Sequence, residues 1–194
     1  MKLIIATWNK AKFTWIRDAL RPLPLEAAAL ADTIEDIEET AATFSGNASL
    51  KVEAVRRYYP NDIILGEDSG LMINALGGFP GVKTARFLPG SDADRAKELL
   101  RRLEGLPLSK RQAQFHSAVA LATPDGQGIL CSGTLAGWIS NRERTCVQGY
   151  GDIFLLCNDK VLAAAEPTQL LPLDHRRQAL FQAKQHILEW VGKD

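Results

Sequence analysis

Residues 63–70, Ile63-Ile64-Leu65-Gly66-Glu67-Asp68-Ser69-Gly70, decide how this chain is expected to fold. The apolar run at 63–65 follows a Pro-Asn-Asp turn signal and predicts a buried strand, so that two adjacent carboxylates come at its end. Such a pair is costly beside buried backbone unless a positive group lies opposite it. A divalent metal that carries phosphate oxygens is the usual answer, because Mg²⁺ takes few protein carboxylates and several waters. The stretch therefore indicates metal-assisted phosphate chemistry.

Length and composition predict one soluble globular domain. The chain has 194 residues, of which 46% are hydrophobic and 24% charged. This is enough to bury a core and is ordinary for a folded protein, which argues against disorder. Lys and Arg number 23, and so do Asp and Glu. No overall field then attracts a nucleic acid polymer or an anionic membrane, and anions must be bound by a local arrangement of groups.

The cysteines and the first residues bear on where the protein works. Cys131, Cys146 and Cys157 are scattered and odd in number. They predict neither a disulfide framework nor a zinc site, which favours a reducing cytosol. The apolar run near Met1 is too short for a signal peptide, and no stretch approaches the length of a membrane span. A soluble, cytoplasmic protein is expected.

The pattern of apolar and turn-forming residues predicts a mixed α/β domain with an antiparallel portion in the middle. The predicted strands cover residues 3–6, 63–65, 112–123, 129–133, 135–140 and 153–156. The predicted helices cover residues 10–20, 43–59, 92–103 and 176–191. The glycine-rich stretches at 77–81 and 149–151 are expected to form shaped loops.

Three polar side chains, Thr7, Asn9 and Lys12, lie where the first strand meets the first helix. Backbone N–H groups and the positive end of the helix dipole favour a phosphate there, and Lys12 adds charge. Thr and Asn are also ordinary helix caps. The residues alone leave both interpretations open.

Other charged residues are open to two interpretations as well. Glu38-Glu39 is either part of a metal site or a solvated acidic loop, and Asp68 is either a metal-bound carboxylate or a cap in a turn. The glycines of 77–81 either let backbone N–H groups approach a ligand or only form a tight turn, with Arg86 just beyond them placed for a phosphate. His175-Arg176 either contacts a ligand or simply starts the last helix.

Taken together, these segments resemble the inosine/xanthosine triphosphate pyrophosphatase family, enzymes that remove non-canonical purine nucleotides. The match covers most of the chain. The family motif T-x-N-x-x-K resembles Ala6-Thr7-Trp8-Asn9-Lys10-Ala11-Lys12. The motif E-T-G-x-T-F-x-E-N-A-x-x-K resembles Glu38-Glu39-Thr40 together with Thr43-Phe44-Ser45-Gly46-Asn47-Ala48-Ser49-Leu50-Lys51. The motif D-D-S-G-L…L-G-G-x-P-G-x-x-S-A-R resembles Glu67-Asp68-Ser69-Gly70-Leu71 through Gly77-Gly78-Phe79-Pro80-Gly81 to Arg86. All of them in register make a specific signal.

The resemblance implies hydrolysis of a nucleoside triphosphate between its α- and β-phosphates, which gives a monophosphate and pyrophosphate. It implies a Mg²⁺ ion held by the positions of Glu39 and Asp68, with Asp68 also the base for the attacking water. Implied substrate contacts are Thr7, Asn9, Lys12, Lys51, Ser69, Gly70, Arg86, Tyr150, Asp152, Asp174, His175 and Arg176. The family fold is an elongated mixed α/β structure in two lobes, here the single domain 1–194, with the nucleotide in the cleft and two identical subunits.

The departures from the family pattern concentrate where the base would be read. Gly149-Tyr150-Gly151-Asp152-Ile153-Phe154 stands for G-F-G-[YW]-D-P-x-F and is two residues short. The triplet S-H-R is Asp174-His175-Arg176, and residues 166–173 contain no lysine where the family has one. Near the phosphates, Trp15 replaces an acidic residue and Gly46 a glutamate.

These departures suggest the hypothesis that hydrolysis is kept while base recognition has changed. Asp174 offers only acceptors where the family offers a hydroxyl, which would favour a base edge rich in N–H donors. The alternative is that neighbouring residues refill the space and specificity is unchanged. Two other functions stay open: a dedicated hydrolase for one unusual nucleotide, and a catalytically silent nucleotide-binding protein.

Overall fold

The computed structural model describes residues 1–142, 149–157, 160–166 and 174–192. Its contacts divide the chain into two compact units. Unit 1 comprises Met1–Ser69, Ser117–Gly133 and His175–Asp194, and unit 2 comprises Gly70–His116 and Thr134–Asp174.

The described residues form a mixed sheet in the order β2-β1-β3-β4-β5-β6 with helices packed against it. β1 runs parallel to both β2 and β3, and β5 runs antiparallel to β6. The strands are β1 Leu3–Ile5, β2 Ala27–Ala28, β3 Ile63–Ile73, β4 Gln112–Ala122, β5 Gly128–Ile139 and β6 Phe154–Leu155. The helices are α1 Lys10–Leu20, α2 Phe44–Arg56, α3 Asp92–Arg102, α4 Tyr150–Ile153 and α5 His175–Val191. The predicted mixed α/β fold is confirmed.

Local caps explain why the helices begin where the sequence predicts. The Asn9 side chain accepts the backbone N–H of Lys12 at the start of α1, and Thr43 does the same for Gly46 at the start of α2. At α3, Ser91 and the third helical residue cap each other reciprocally in a capping box.

Strand β3 is the main correction to the predicted elements. It does not end at Leu65 but runs on to Ile73, so the two carboxylates lie inside a strand and not at its end. The strand is buried along nearly its whole length. A run buried on both faces has no alternation to mark its end, and the polar residues within it are tolerated because they have partners, as described below.

Two glycine positions also differ from the prediction. β5 is continuous through Gly133, where the sequence predicts a break between two strands. A Cβ at Gly133 would lie 2.0 Å from the carbonyl oxygen of His175, so this glycine permits close packing of β5 on the start of α5. The predicted glycine loop at 149–151 instead leads into the short helix α4, which takes Ile153 out of the predicted strand.

The cores follow the alternation of the strands. In unit 1, Leu3 and Ile5 of β1 pack into a cluster with α1 and α5, while Ile4 of the same strand faces a second cluster with α2. Unit 2 has its own cluster, in which α3 packs with residues of β3, β4, β5 and α4. Within the described part of the chain, no helix has the length and apolar character that crossing a membrane requires.

Candidate active site

Glu67 of β3 is a fully buried carboxylate with a partner for each oxygen. Its Oε2 lies 2.5 Å from the Lys12 ammonium of α1, and its Oε1 accepts the Ser117 hydroxyl of β4 at 3.0 Å. Burial by itself raises the pKa of Glu67, but the Lys12 charge, together with Arg176 and a hydrogen bond from Ser69, brings the pKa below its usual value. Glu67 is therefore ionised at neutral pH.

Lys51 of α2 is a buried ammonium surrounded by oxygen atoms. Its Nζ donates to the backbone carbonyl of Glu67 at 2.9 Å and lies 2.5 Å from Oε1 of Glu39. Oδ1 of Asp68 is 3.9 Å from the same nitrogen. Lys51 thus lies between the carboxylates of Glu39 and Asp68, the two residues that the sequence predicts as the metal site.

Asp68 is held from its other side by Asn47 of α2. Asn47 is completely buried; its Nδ2 donates to Oδ2 of Asp68 at 3.0 Å, and its own Oδ1 accepts the N–H of Ala41 at 3.0 Å. Burial raises the pKa of Asp68, and the nearby Glu39 charge adds to this, while Lys51, Asn47 and Lys12 oppose it without cancelling it. The oriented carboxylate is thereby a better proton acceptor than an exposed aspartate.

The ligand types around Lys51 fit a hard divalent cation. Glu39 and Asp68 offer carboxylate oxygens, and Mg²⁺ needs only one or two of these because water and phosphate complete its shell. Among the described residues no group of three or more His, Cys, Asp or Glu side chains is arranged to hold a metal. The two carboxylates Glu39 and Asp68 suit Mg²⁺ better than zinc, which usually takes three or four protein ligands that include His or Cys.

The junction of β1 and α1 uses its predicted residues as caps. Asn9 caps α1, and the Thr7 hydroxyl accepts the Asn9 N–H at 3.3 Å. Lys12 alone of the three reaches the carboxylates, and its side chain stays about a quarter exposed. The capping interpretation is observed for Thr7 and Asn9; a role in phosphate binding stays a prediction.

Gly66 sets the distance between β3 and α2. A Cβ there would lie 2.3 Å from the carbonyl oxygen of Ala48 and 3.2 Å from Cβ of Lys51. Helix α2 therefore lies against the strand closely enough for Lys51 and Asn47 to reach the backbone and side chains of residues 67 and 68.

We expect Gly66→Ala to lower the free energy of unfolding by about 2 kcal/mol, because backbone must move to relieve the overlap. Gly128→Ala is the matched control in a strand, since a Cβ there would meet its nearest atom at an ordinary 3.7 Å. Urea denaturation of both variants measures the difference. Equal stability of the two would contradict the close-approach argument.

The remaining predicted site residues lie outside this cluster. His175 and Arg176 begin α5 in unit 1, where the Arg176 guanidinium lies 5.7 Å from the ring centre of Trp15. The predicted site residues in unit 2 are spread along the chain. Gly70 lies in β3, Arg86 follows the 77–81 turn, Tyr150 and Asp152 lie in α4, and Asp174 precedes α5. Tyr150, predicted to stack on a base, is only 8% exposed, and its hydroxyl donates to the carbonyl of Thr84 at 2.6 Å.

Two of the departures from the family pattern have local explanations. At Gly46 a Cβ would lie 2.6 Å from Cβ of Ala41, which leaves no room there for a glutamate. Trp15, in place of an acidic residue, presents its ring to Arg176, so a cation–π contact stands where an ion pair would be expected. Residues 167–173, which cover most of the segment that lacks the family's lysine, and Cys146 lie outside the described residues.

Sequence reasoning missed three participants: Glu67 as the partner of Lys12, Asn47 as the partner of Asp68, and Ser117. Adjacent carboxylates at 67 and 68 were a signal that at least one needed a cation. Asn47 stands inside the quoted motif, four residues before Lys51, and the helical repeat puts both on one face. Ser117 is 50 residues from Glu67 in sequence and carries no local signal.

Comparison with known proteins gives consistent results. Residues 3–186 match the Ham1 family. A protein of Halalkalibacterium halodurans named "Non-canonical purine NTP pyrophosphatase homolog" is 45% identical over 190 residues, covering 98% of this chain and 97% of that one. A "dITP/XTP pyrophosphatase" of Listeria monocytogenes is 36% identical over 200 residues, covering 99% and 97%.

A solved structure agrees with these sequence matches. The Ham1 protein of Staphylococcus aureus superimposes with a TM-score of 0.84 at 29% identity, over 100% of both chains. The resemblance drawn from the motifs is confirmed at the level of the family.

Proposed function

The chain belongs to the Ham1 family, and on that premise we propose that it hydrolyses a non-canonical or modified purine nucleoside triphosphate to the monophosphate and pyrophosphate. The observation that carries the proposal is the cluster of two ammonium groups and three carboxylates on β3, α1, α2 and the loop before α2. Lys12 pairs with the Glu67 carboxylate, and Lys51 lies beside the carboxylates of Glu39 and Asp68. Such a set serves phosphoryl chemistry, in which catalysis is mostly positioning and charge stabilisation.

Glu39 and Asp68 are the residues that would hold Mg²⁺. When bound, the ion neutralises charge on the phosphates and polarises a phosphoryl oxygen. Glu39 pairs at 2.5 Å with Lys51, which is itself buried. A bound magnesium–nucleotide complex would therefore lie beside charges that already interact. Its phosphate oxygens would compete with the Glu39 carboxylate for the Lys51 ammonium.

The two lysines differ in what constrains them. Lys51 donates to the Glu67 carbonyl and is buried, whereas Lys12 pairs with the Glu67 carboxylate and is partly exposed. Lys51 is accordingly proposed to bind the phosphates nearest the metal, and Lys12 those further out. Thr7, Asn9 and Ser69 are proposed as neutral donors beside them.

Asp68 is the proposed base. A water oxygen forms the new bond to phosphorus, the bond between the α–β bridging oxygen and that phosphorus breaks, and the pyrophosphate or monophosphate leaves with the electron pair. The proton of the attacking water passes to Oδ1 of Asp68, while Asn47 holds Oδ2 and so keeps Oδ1 directed at the water. Asn47 is a positioning residue in this scheme.

The base is proposed to be read by residues of the family's recognition segments. These are Tyr150, Asp152, Asp174, His175 and Arg176. Arg86 is proposed to bind phosphate, and Gly70 is proposed as a further substrate contact. The aspartate at 174, which accepts but does not donate when ionised, is the one whose chemistry differs most from the family pattern. We further propose that the protein is cytoplasmic and forms a homodimer. Sedimentation of the purified protein would test the homodimer.

A substrate panel tests the function. We expect pyrophosphate release from dITP and XTP with kcat/KM at least about 100-fold above that for ATP and GTP, because a site built on hydrogen bonds to the base rejects edges that leave its groups unpaired. EDTA is expected to stop the reaction and added Mg²⁺ to restore it. Released pyrophosphate, measured with a coupled inorganic pyrophosphatase, is the readout.

The same panel separates the alternatives. A preference for guanosine or for an oxidised purine triphosphate would support the changed-base hypothesis. Turnover of one substrate alone would indicate a dedicated hydrolase. Binding without any pyrophosphate release would contradict the proposal and leave a silent nucleotide-binding protein.

A further inference from the structure

We infer that the hydroxyl of Tyr150 is a positioning group, which holds the segment 84–90 that carries Arg86. The inference goes beyond the proposed function but rests on it in one respect, since Arg86 is taken to contact the substrate. All the residues that carry the argument lie in unit 2.

The near end of the segment is fixed at Thr84. The Tyr150 hydroxyl donates to the Thr84 carbonyl at 2.6 Å. The Thr84 hydroxyl donates to the carbonyl of Gly81 at 2.6 Å and accepts the backbone N–H of Leu71 in β3 at 2.8 Å. Thr84 is thereby tied to α4, to the preceding turn and to β3, two residues before Arg86.

The far end of the segment is fixed by Arg95 of α3. Nη1 of Arg95 donates to the carbonyls of Leu88 and Gly90, both at 2.9 Å. Its Nε and Nη2 donate to Oδ1 of Asp92 at 3.2 and 2.8 Å, which fixes the guanidinium plane. The Arg95 charge also acts on the Tyr150 hydroxyl and opposes the rise in its pKa. Tyr150 at one end and Arg95 at the other therefore hold the segment, with Arg86 exposed between them.

Gly149 lets Tyr150 lie close to the start of α3. Gly149 has a φ of 76°, and a Cβ there would lie 2.6 Å from Cβ of Asp92. Helix α4 consequently begins directly against the start of α3. The ring of Tyr150 is buried in the hydrophobic core of unit 2.

The hydroxyl is suited to permanent donation. Burial, and the charge of Asp92, raise the pKa of Tyr150 to about 12. The proton therefore stays on the hydroxyl at neutral pH.

Tyr150→Phe removes the hydroxyl and keeps the ring, and hydrogen exchange of the nucleotide-free protein gives the first readout. We expect deuterium uptake in a peptide spanning 81–90 to become about fivefold faster, the size expected for the loss of one buried hydrogen bond. Tyr58→Phe is the matched control, since Tyr58 is 48% exposed and its hydroxyl accepts a hydrogen bond from the adjacent Arg57. Unchanged uptake in Tyr150→Phe would overturn the inference.

Turnover of the preferred substrate gives the second readout. We expect Tyr150→Phe to lower kcat/KM about tenfold in the wild-type background and by less than twofold in an Arg86→Ala background, because the hydroxyl acts through Arg86. Unchanged kinetics in Tyr150→Phe, or an equal loss in both backgrounds, would overturn the positioning role, since phenylalanine stacks as well as tyrosine. If deuterium uptake rises in Tyr150→Phe but the wild-type protein releases no pyrophosphate, the proposed function fails. The inference that the Tyr150 hydroxyl holds residues 84–90 is then still supported.

Discussion

Asp68→Asn is expected to lower kcat for pyrophosphate release by at least about a thousandfold. The substitution removes a general base, worth about 10²- to 10⁴-fold, together with one of the two proposed metal carboxylates. The asparagine is nearly the same size as aspartate. In the wild-type protein Asn47 Nδ2 donates to Oδ2 of Asp68 at 3.0 Å, and the side-chain oxygen of the asparagine can still accept this hydrogen bond. The fold should therefore survive, and initial rates at saturating Mg²⁺ and substrate measure the chemical defect.

Asp32→Asn, which changes the same group on an exposed loop, should leave kcat within about twofold of wild type. The proposed role of Asp68 fails if Asp68→Asn keeps more than a tenth of the wild-type kcat while its circular dichroism spectrum is unchanged. A protein that only binds nucleotide would show no pyrophosphate release in either variant. The pair of variants thus separates catalysis from binding.

The sequence was sufficient to predict those features that depend on neighbouring residues. Helix α1 spans the predicted residues because Asn9 caps it and Pro22 follows its end. The turn after β4 forms where Pro124-Asp125-Gly126 predicts it, closed by the Thr123 N–H donating to the Gln127 carbonyl at 2.9 Å. Each of these features is set within a few residues along the chain.

The features that the sequence did not predict depend on residues far apart in the chain. β3 continues past Leu65 because Glu67 and Asp68 find partners on α1, α2 and β4, none of which the run 63–70 reveals. The motifs predict that Lys12 and Lys51 bind phosphate, but they do not predict which carboxylates the two lysines pair with. Periodicity and turn signals describe local conformation, whereas these contacts exist only once the helices and strands of unit 1 have packed together.

Lys12→Met is expected to destabilise the protein by about 3 kcal/mol at pH 8. It leaves the Glu67 carboxylate, whose side chain is 0% exposed, without the ammonium now 2.5 Å from it, and removing one member of a buried pair typically costs about 3–5 kcal/mol. The lower end applies because Lys12 is partly exposed. For a chain of this length the melting temperature should fall by roughly 6–12 °C.

The size of this loss should depend on pH, with a definite sign. In the wild-type protein the pKa of Glu67 lies below its usual value of 4.5, so its interactions contribute stability above about pH 4.5 that is lost as the pH falls through the lowered pKa. Without Lys12, burial dominates and raises that pKa. The folded variant then binds a proton more tightly than the unfolded chain, and its deficit relative to wild type should shrink as the pH is lowered from 8 to 5.

Lys10→Met isolates the role of the buried pair, because Lys10 is exposed and lies in the same first turn of α1. It removes the same charge, and should change the unfolding free energy by less than about 0.5 kcal/mol at either pH. The double variant Lys12→Met/Glu67→Gln should recover part of the loss, and that deficit should show little pH dependence, since the unpaired carboxylate at position 67 is gone. Equal melting temperatures for Lys12→Met and Lys10→Met across this pH range would mean that the Glu67–Lys12 pair contributes nothing to stability, and Lys12 would then be free to serve substrate alone.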